Sequence, residues 1–293
     1  MIIYNPKSWI SLIFNLHKTD TFRKLLPAML VVAVFTALID FVVLEWEWLS
    51  FKGTILFHSL TGFVISLLLV FRTNTAYERW WEGRKLWGSL VNTCRNMAIK
   101  LNAYIPYDQI EKREKIADLI VNYPLTLKEH LRGNKVPLVA PRDTHQPNYI
   151  AAVLFSEIHD MYKNGSISGD ELWVINHELQ SLTDICGACE RIRNTPIPFS
   201  YSLFIKKFIF IYTLTMPFFL IKDLGYISIL LVTLVFYVLT SIEILAEEIE
   251  NPFGTDPNDL PLDNLTRTIY VSSREIMGLE TKKDPFEIMK IPN

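Results

Sequence analysis

Acidic residues follow a long apolar run and offer the carboxylates that metal chemistry needs. Glu243 and Glu247 are four positions apart, so they lie on one face of a helix. A di-metal carboxylate site also needs Glu-x-x-His motifs or their equivalent, and neither Glu157-Ile-His159 nor His177-Glu178 has that spacing. We therefore favour a solvated or ion-paired helix end, and keep a membrane-bound metal enzyme that uses Glu243 and Glu247 as an alternative.

A loop rich in oxygen ligands comes directly after these acids. Residues 251–263 read NPFGTDPNDLPLD, with three Asp and two Asn among turn-forming residues. Carboxylate and carbonyl oxygens on an irregular loop suit calcium, although the spacing is not that of an EF-hand. The pattern alone favours an Asx-rich turn over an ion site.

Two cysteines form a CxxC pair, Cys186-Gly-Ala-Cys189. A structural zinc site of this type needs a second pair of Cys or His, and the chain has only three cysteines. We therefore favour small buried thiols over a redox or zinc site. The same count excludes a disulfide-stapled secreted domain.

An apolar stripe and an isolated acid lie within uncharged runs. Phe63, Leu67 and Phe71 recur at i, i+4 and i+8, and several copies around an axis would form stacked hydrophobic rings that can gate by dewetting. The spacing alone favours ordinary contact with lipid or another helix. Asp40 interrupts the first run, and the sequence leaves open whether it is a functional intramembrane acid or lies near the outer headgroups.

Long uncharged runs are the elements that must position these residues. Of 293 residues, 50% are hydrophobic and 20% charged, and the net charge of −2 gives no basic signal for nucleic acid. Four runs approach the length that spans a bilayer. They cover residues 25–44 with Asp40 as the interruption, 54–71, 208–221 and 224–242. We therefore predict an all-α membrane protein with four transmembrane helices.

The positive charges predict the orientation of these spans. One side carries Arg23, Lys24, Arg72, Lys206 and Lys207, and the other only Lys52 and Lys222. This places both termini in the cytoplasm, with Trp46 and Trp48 at the opposite interface. The predicted segments are a cytoplasmic N-terminus (1–24), a first transmembrane hairpin (25–71), a helical cytoplasmic insert (72–203), a second hairpin (204–242) and a cytoplasmic C-terminal segment (243–293).

The second span has no break at its polar end. No Gly or Pro separates Phe71 from the polar residues that follow, so we predict one helix of about 45 residues that continues into the insert. Such a helix is better suited to packing with other copies around a shared axis than to forming an enzyme pocket.

Three segments resemble the bestrophin family, in its bacterial branch. They are FRTNTAYERWWEGRKLWG at 71–88, CERIRNTPIPFSY at 189–201 and EIENPFGTDPNDLPLD at 248–263. Their order and spacing match as well, and the resemblance covers nearly the whole chain. It implies a homopentameric ion channel around one axial pore, without an enzymatic step, in the bacterial inner membrane.

The resemblance also implies roles for individual residues. The narrow hydrophobic neck falls on Phe63, Leu67 and Phe71, the stripe already noted, and the cytoplasmic aperture on Leu172. A calcium clasp of animal members would fall on Asn251, Asp256 and Asp259. This chain departs from the animal run of acids, which puts calcium regulation in doubt.

The sequence thus predicts a channel for small monovalent ions that lies in a lipid bilayer. It is expected to bind no nucleic acid and, with the exception of calcium, no cofactor. Chloride and monovalent cations both fit the resemblance, and we lean slightly towards cations. A membrane-anchored scaffold is the second alternative, beside the metal enzyme. An assembly that is not a pentamer and passes no ions would favour the scaffold.

Overall fold

The structure is a computed structural model that describes residues 20–46, 55–134 and 144–281. Regular structure in these ranges is entirely helical, which agrees with the predicted all-α class. Trp48, Lys52, residues 1–19 and the side chain of Trp46 lie outside the described part. The helices are α1 (Asp20–Trp46), α2 (Ile55–Tyr104), α3 (Ile110–Arg132), α4 (Gln146–Lys163), α5 (Gly169–Asn194), α6 (Phe199–Leu224), α7 (Ile227–Glu250) and α8 (Leu262–Ile276).

The chain divides into two compact units. Of the described residues, those within 2–79 and 196–251 form one, called here the apolar unit, and those within 80–195 and 252–293 form the other, called the polar unit. Both units include part of α2, which is a single helix of 50 residues. The prediction of one long helix that continues past Phe71 is therefore confirmed.

The apolar unit contains the helices that are long and apolar enough to cross a membrane. In the described residues there are four such candidates, and they lie in α1, α2, α6 and α7. Within the unit α1 packs against α6 and α7, which also pack against each other. Most of each apolar segment stays unburied within the chain, as expected for surfaces that meet lipid or another subunit. The predicted number of spans is confirmed.

Two helix ends differ from the predicted bounds. Helix α6 begins at Phe199, five residues before the predicted start of the second hairpin at 204 and well before the uncharged run at 208, and so includes Lys206. That ammonium lies 2.8 Å from an Oε2 atom of Glu247, which compensates the charge within the helix pair. Helix α7 begins at Ile227 rather than Leu224, because Gly225 has a φ of 55° that ends the preceding helix.

The polar unit has its own hydrophobic core. In it α3 packs against α4, α5 and α8, and α4 packs against α5. Trp87, Leu90 and Leu101 of α2 are fully buried in this core. Helix α5 starts with a capping box in which Ser168 and Glu171 satisfy each other's backbone N–H groups. The predicted insert (72–203) supplies most of this core, and Phe253, Leu262 and Ile269 of the predicted C-terminal segment complete it.

Candidate functional site

The predicted neck stripe forms the outer face of α2 within the apolar unit. Phe63, Leu67 and Phe71 are 66%, 45% and 56% exposed. Ile65 and Leu69, two positions to either side of Leu67, are 1% and 2% exposed. Two positions correspond to about 200° around a helix, so the stripe and the buried face point in opposite directions. A face this apolar needs a covering of lipid, another helix or a dewetted pore.

The buried face of α2 is held closely against α6. Ile65 and Leu69 form a core cluster with Ile205 and Ile209. At Gly62 an added Cβ would lie 2.5 Å from the Tyr212 hydroxyl, so a larger residue would force the end of the Tyr212 side chain to move. The tight contact fixes the rotation of α2 about its axis and thereby the direction of the stripe.

A buried ion pair follows the stripe immediately. Arg72 is 1% exposed, and its Nη2 lies 2.9 Å from Oε2 of Glu250 at the end of α7. The other carboxylate oxygen of Glu250 accepts a hydrogen bond from the backbone N–H of Ile197 at 2.7 Å. Its carbonyl oxygen accepts one from Nε of Arg79 at 3.0 Å. Glu250 therefore ties α2, the segment before α6 and the end of α7 together.

In the sequence, Arg72 indicates only the orientation of the spans, and Glu250 is one of four acids that predict a solvated or ion-paired helix end, without a named partner. The available signal was an arginine directly after an apolar run of eighteen uncharged residues. A charge at that place is read as a membrane boundary, and only the fold reveals its buried partner.

The two acids of the metal-enzyme alternative pair with a lysine. Nζ of Lys206 lies 2.8 Å from Oε2 of Glu247 and 3.7 Å from Oε1 of Glu243. Neither acid belongs to a cluster of three metal-ligating side chains in the described part of the chain. The ion-paired helix end predicted as the favoured reading is confirmed.

The intramembrane acid of α1 is fully buried. Asp40 is 0% exposed, and its Oδ2 accepts a hydrogen bond from the Ser228 hydroxyl at the start of α7. The contact links two helices of the apolar unit by polar groups, as is common between membrane helices. This favours an internal position over one exposed to the headgroups.

The oxygen-rich loop is held by contacts of its own. Asp259 is 2% exposed, and its Oδ2 accepts the backbone N–H of Asp256 at 2.7 Å. Phe253 is fully buried beside Gly83, and Nε1 of Trp80 donates to the carbonyl of Asn258 at 3.0 Å. The loop thus packs on α2 within the polar unit. Asn251, the remaining residue of the predicted clasp, lies in the apolar unit and is exposed.

Substituting Asp259 separates packing from calcium binding. Asp259→Ala removes the acceptor of a part-buried hydrogen bond from the Asp256 N–H, so we expect the free energy of unfolding to fall by about 0.5–1.5 kcal/mol. Asp259→Asn keeps an oxygen acceptor, and we expect a smaller loss. Denaturant unfolding in detergent, with a calcium chelator or with added calcium, measures both. If added calcium stabilises the parent chain but neither variant, Asp259 instead belongs to an ion site.

Two further predicted sites lie in the polar unit. Cys186 and Cys189 are free, buried thiols, which confirms the interpretation as core residues. Burial, supported by the charge of Glu190, raises the pKa of the Cys186 thiol to about 12. Leu172, the predicted aperture residue, is half-buried against the core, whereas its neighbour Trp173 is 78% exposed. The aperture assignment stays a prediction.

Comparisons with known proteins agree with this arrangement. Residues 1–275 match the family model described as the bacterial and fungal bestrophin protein. A voltage-dependent anion channel-forming protein of Nostoc is 36% identical over 75% of this chain and 76% of its own. One of the same name from Mesorhizobium japonicum is 30% identical over 94% of this chain and 93% of its own.

A solved structure has the same fold. The crystal structure of a bacterial bestrophin homologue from Klebsiella pneumoniae has a TM-score of 0.79 and 28% sequence identity. The match covers 86% of this chain and 98% of the Klebsiella chain. With this fold, four apolar helices and channel-forming relatives, the metal-enzyme alternative is set aside. The chain belongs to the bacterial and fungal bestrophin family and is a membrane ion channel protein.

Proposed function

We propose that several copies of the chain surround one axial pore, with Phe63, Leu67 and Phe71 of each copy lining its neck. The observation that supports this most strongly is the exposed apolar face of α2, which lies directly opposite the anchored face. Stacked apolar rings keep a narrow pore dry and so control the passage of ions. No chemical step is involved.

The permeant species is proposed to be a small monovalent anion such as chloride. The sequence leaned slightly towards cations, but the relatives named above are called anion channel-forming proteins, which favours the opposite sign. Aromatic ring edges carry partial positive charge, so phenylalanines that turn their edges inward suit an anion. The low polarity of the neck favours weakly hydrated ions.

We further propose a pentamer in the bacterial inner membrane with both termini in the cytoplasm. The number of copies follows the family resemblance, and the orientation follows the excess of Lys and Arg on one side of the spans. The polar unit would then form a cytoplasmic vestibule, with Leu172 as its aperture. Calcium, if bound, would be taken by Asn251, Asp256 and Asp259.

Ion efflux together with the mass of the assembly tests the proposal. We expect purified protein in liposomes to dissipate a KCl gradient much faster than empty liposomes do. Native mass spectrometry of the same sample should give five copies of the 34.0 kDa chain. An assembly of another number that passes no ions would overturn the channel and support the scaffold.

A further inference from the structure

Three side chains of the polar unit converge on a single oxygen atom. They are His130 in the last turn of α3, His145 at the N-cap of α4, and Glu190 in α5. The Nε2 atoms of both histidines lie 2.6 Å from Oε1 of Glu190. Across residues 20–46, 55–134 and 144–281, this is the one group of three His, Cys, Asp or Glu side chains close enough to share a metal ion.

The group offers the ligands that zinc prefers. Imidazole nitrogen and carboxylate oxygen bind zinc at about 2.0–2.2 Å, which sets tetrahedral ligands about 3.3 Å apart. The ligand atoms here lie within 4.8 Å of one another, and the two hydrogen-bonded pairs need to open by less than about 1 Å. Small side-chain rotations achieve this.

Partial exposure leaves room for a fourth ligand. The side chains of His130, His145 and Glu190 are 27%, 33% and 28% exposed. An ion held by them can therefore exchange with solvent and complete its coordination with water. We propose that His130, His145 and Glu190 form a binding site for a divalent transition-metal ion, with zinc as the ion that best fits the ligand set.

The protonation states suit this role. Burial raises the pKa of the Glu190 carboxyl, but the hydrogen bonds from His145 and His130 outweigh it and hold the pKa below its ordinary value. The group is therefore a carboxylate at neutral pH. Arg193, three positions after Glu190, donates through Nη1 to the His130 carbonyl at 2.9 Å.

Metal binding competes with one helix cap. Nδ1 of His145 accepts the backbone N–H of Asn148 at 3.2 Å, so its ring proton is on Nε2. When Nε2 binds the ion, that proton moves to Nδ1 and the capping bond is lost. Because of this competition we expect a dissociation constant in the micromolar range.

The ion would join three helices. His130 and His145 flank residues 131–144, and Glu190 belongs to the helix that packs against both α3 and α4. A bound ion would fix the end of α3, the start of α4 and the C-terminal part of α5 to one point. Since the ion binds only the folded arrangement, zinc should raise the thermal unfolding temperature.

The test measures metal binding by the full chain in detergent, purified with a tag that contains no histidine. Zinc titration by calorimetry gives stoichiometry and affinity, and Co²⁺ absorption reports tetrahedral coordination. We expect one ion per chain. His145→Asn supplies a side chain that still caps α4, so it should fold yet lose zinc affinity at least about tenfold. His130→Ala and Glu190→Gln should lose it as well.

His177→Ala is the matched control, since His177 is 83% exposed and belongs to the same unit. It should bind zinc like the parent chain and show the same rise in unfolding temperature. Equal zinc affinity in His145→Asn and the parent chain would overturn the proposal. So would the absence of stoichiometric binding in the folded parent chain. Neither result depends on ion conduction, so failure here leaves the proposed channel function intact.

Discussion

Replacing Phe63, Leu67 and Phe71 together by alanine is expected to raise the ionic current per channel at least about tenfold. Loss of the large side chains widens the ring and lets water enter, which lowers the barrier that a dry constriction imposes on an ion. A barrier lower by about 1.4 kcal/mol gives this factor. Single-channel recording in a planar bilayer measures the change.

A matched triple variant controls for the loss of apolar volume elsewhere. Phe204, Phe210 and Leu234 are also exposed apolar residues of the apolar unit, on α6 and α7. Their replacement by alanine should leave the current within about twofold, because the proposed neck belongs to α2 and not to those helices. Similar currents in the two triple variants would contradict the assignment of the neck to α2.

Replacing Arg72 by methionine is expected to destabilise the protein by about 3–5 kcal/mol. Arg72 is 1% exposed, and its removal leaves the Glu250 carboxylate without its cation at 2.9 Å. Because Arg72 directly follows Phe71, loss of the pair also frees the polar end of the neck. Unfolding of the purified protein in detergent gives the free energy.

A double-mutant cycle separates the charge from the packing. Glu250→Gln removes the charge but keeps the oxygen that accepts the Ile197 N–H group. Combined with Arg72→Met it also removes the uncompensated carboxylate, so we expect the double variant to recover at least about 1 kcal/mol relative to additivity. Strict additivity of the two substitutions would mean that the pair contributes no coupling.

The sequence predicted the spans because uncharged runs near twenty residues are a direct consequence of the bilayer's thickness. The course of α2 was equally accessible, since no Gly or Pro interrupts it after Phe71. The start of α6 at Phe199, in contrast, could not be predicted from the sequence. Lys206 and Lys207 mark a boundary in the sequence, and the pairing of Lys206 with Glu247 in another helix is visible only in the fold.

The remaining features depend on contacts that are distant in the sequence. Glu250 meets Arg72 across more than 170 positions. His130, His145 and Glu190 have none of the short spacings that mark metal motifs, because they meet only when three helices pack. The direction of the Phe63, Leu67 and Phe71 stripe also came from the fold, since the spacing alone favours ordinary contact with lipid or another helix.

The reversal potential of the current tests the central claim most directly. Purified protein in a planar bilayer under a KCl gradient should carry a current that reverses near the chloride equilibrium potential. Reversal near the potassium potential would contradict the anion selectivity that the relatives' names support. Complete absence of current from folded, inserted protein, unrelieved by alanine at Phe63, Leu67 and Phe71, would contradict the channel itself.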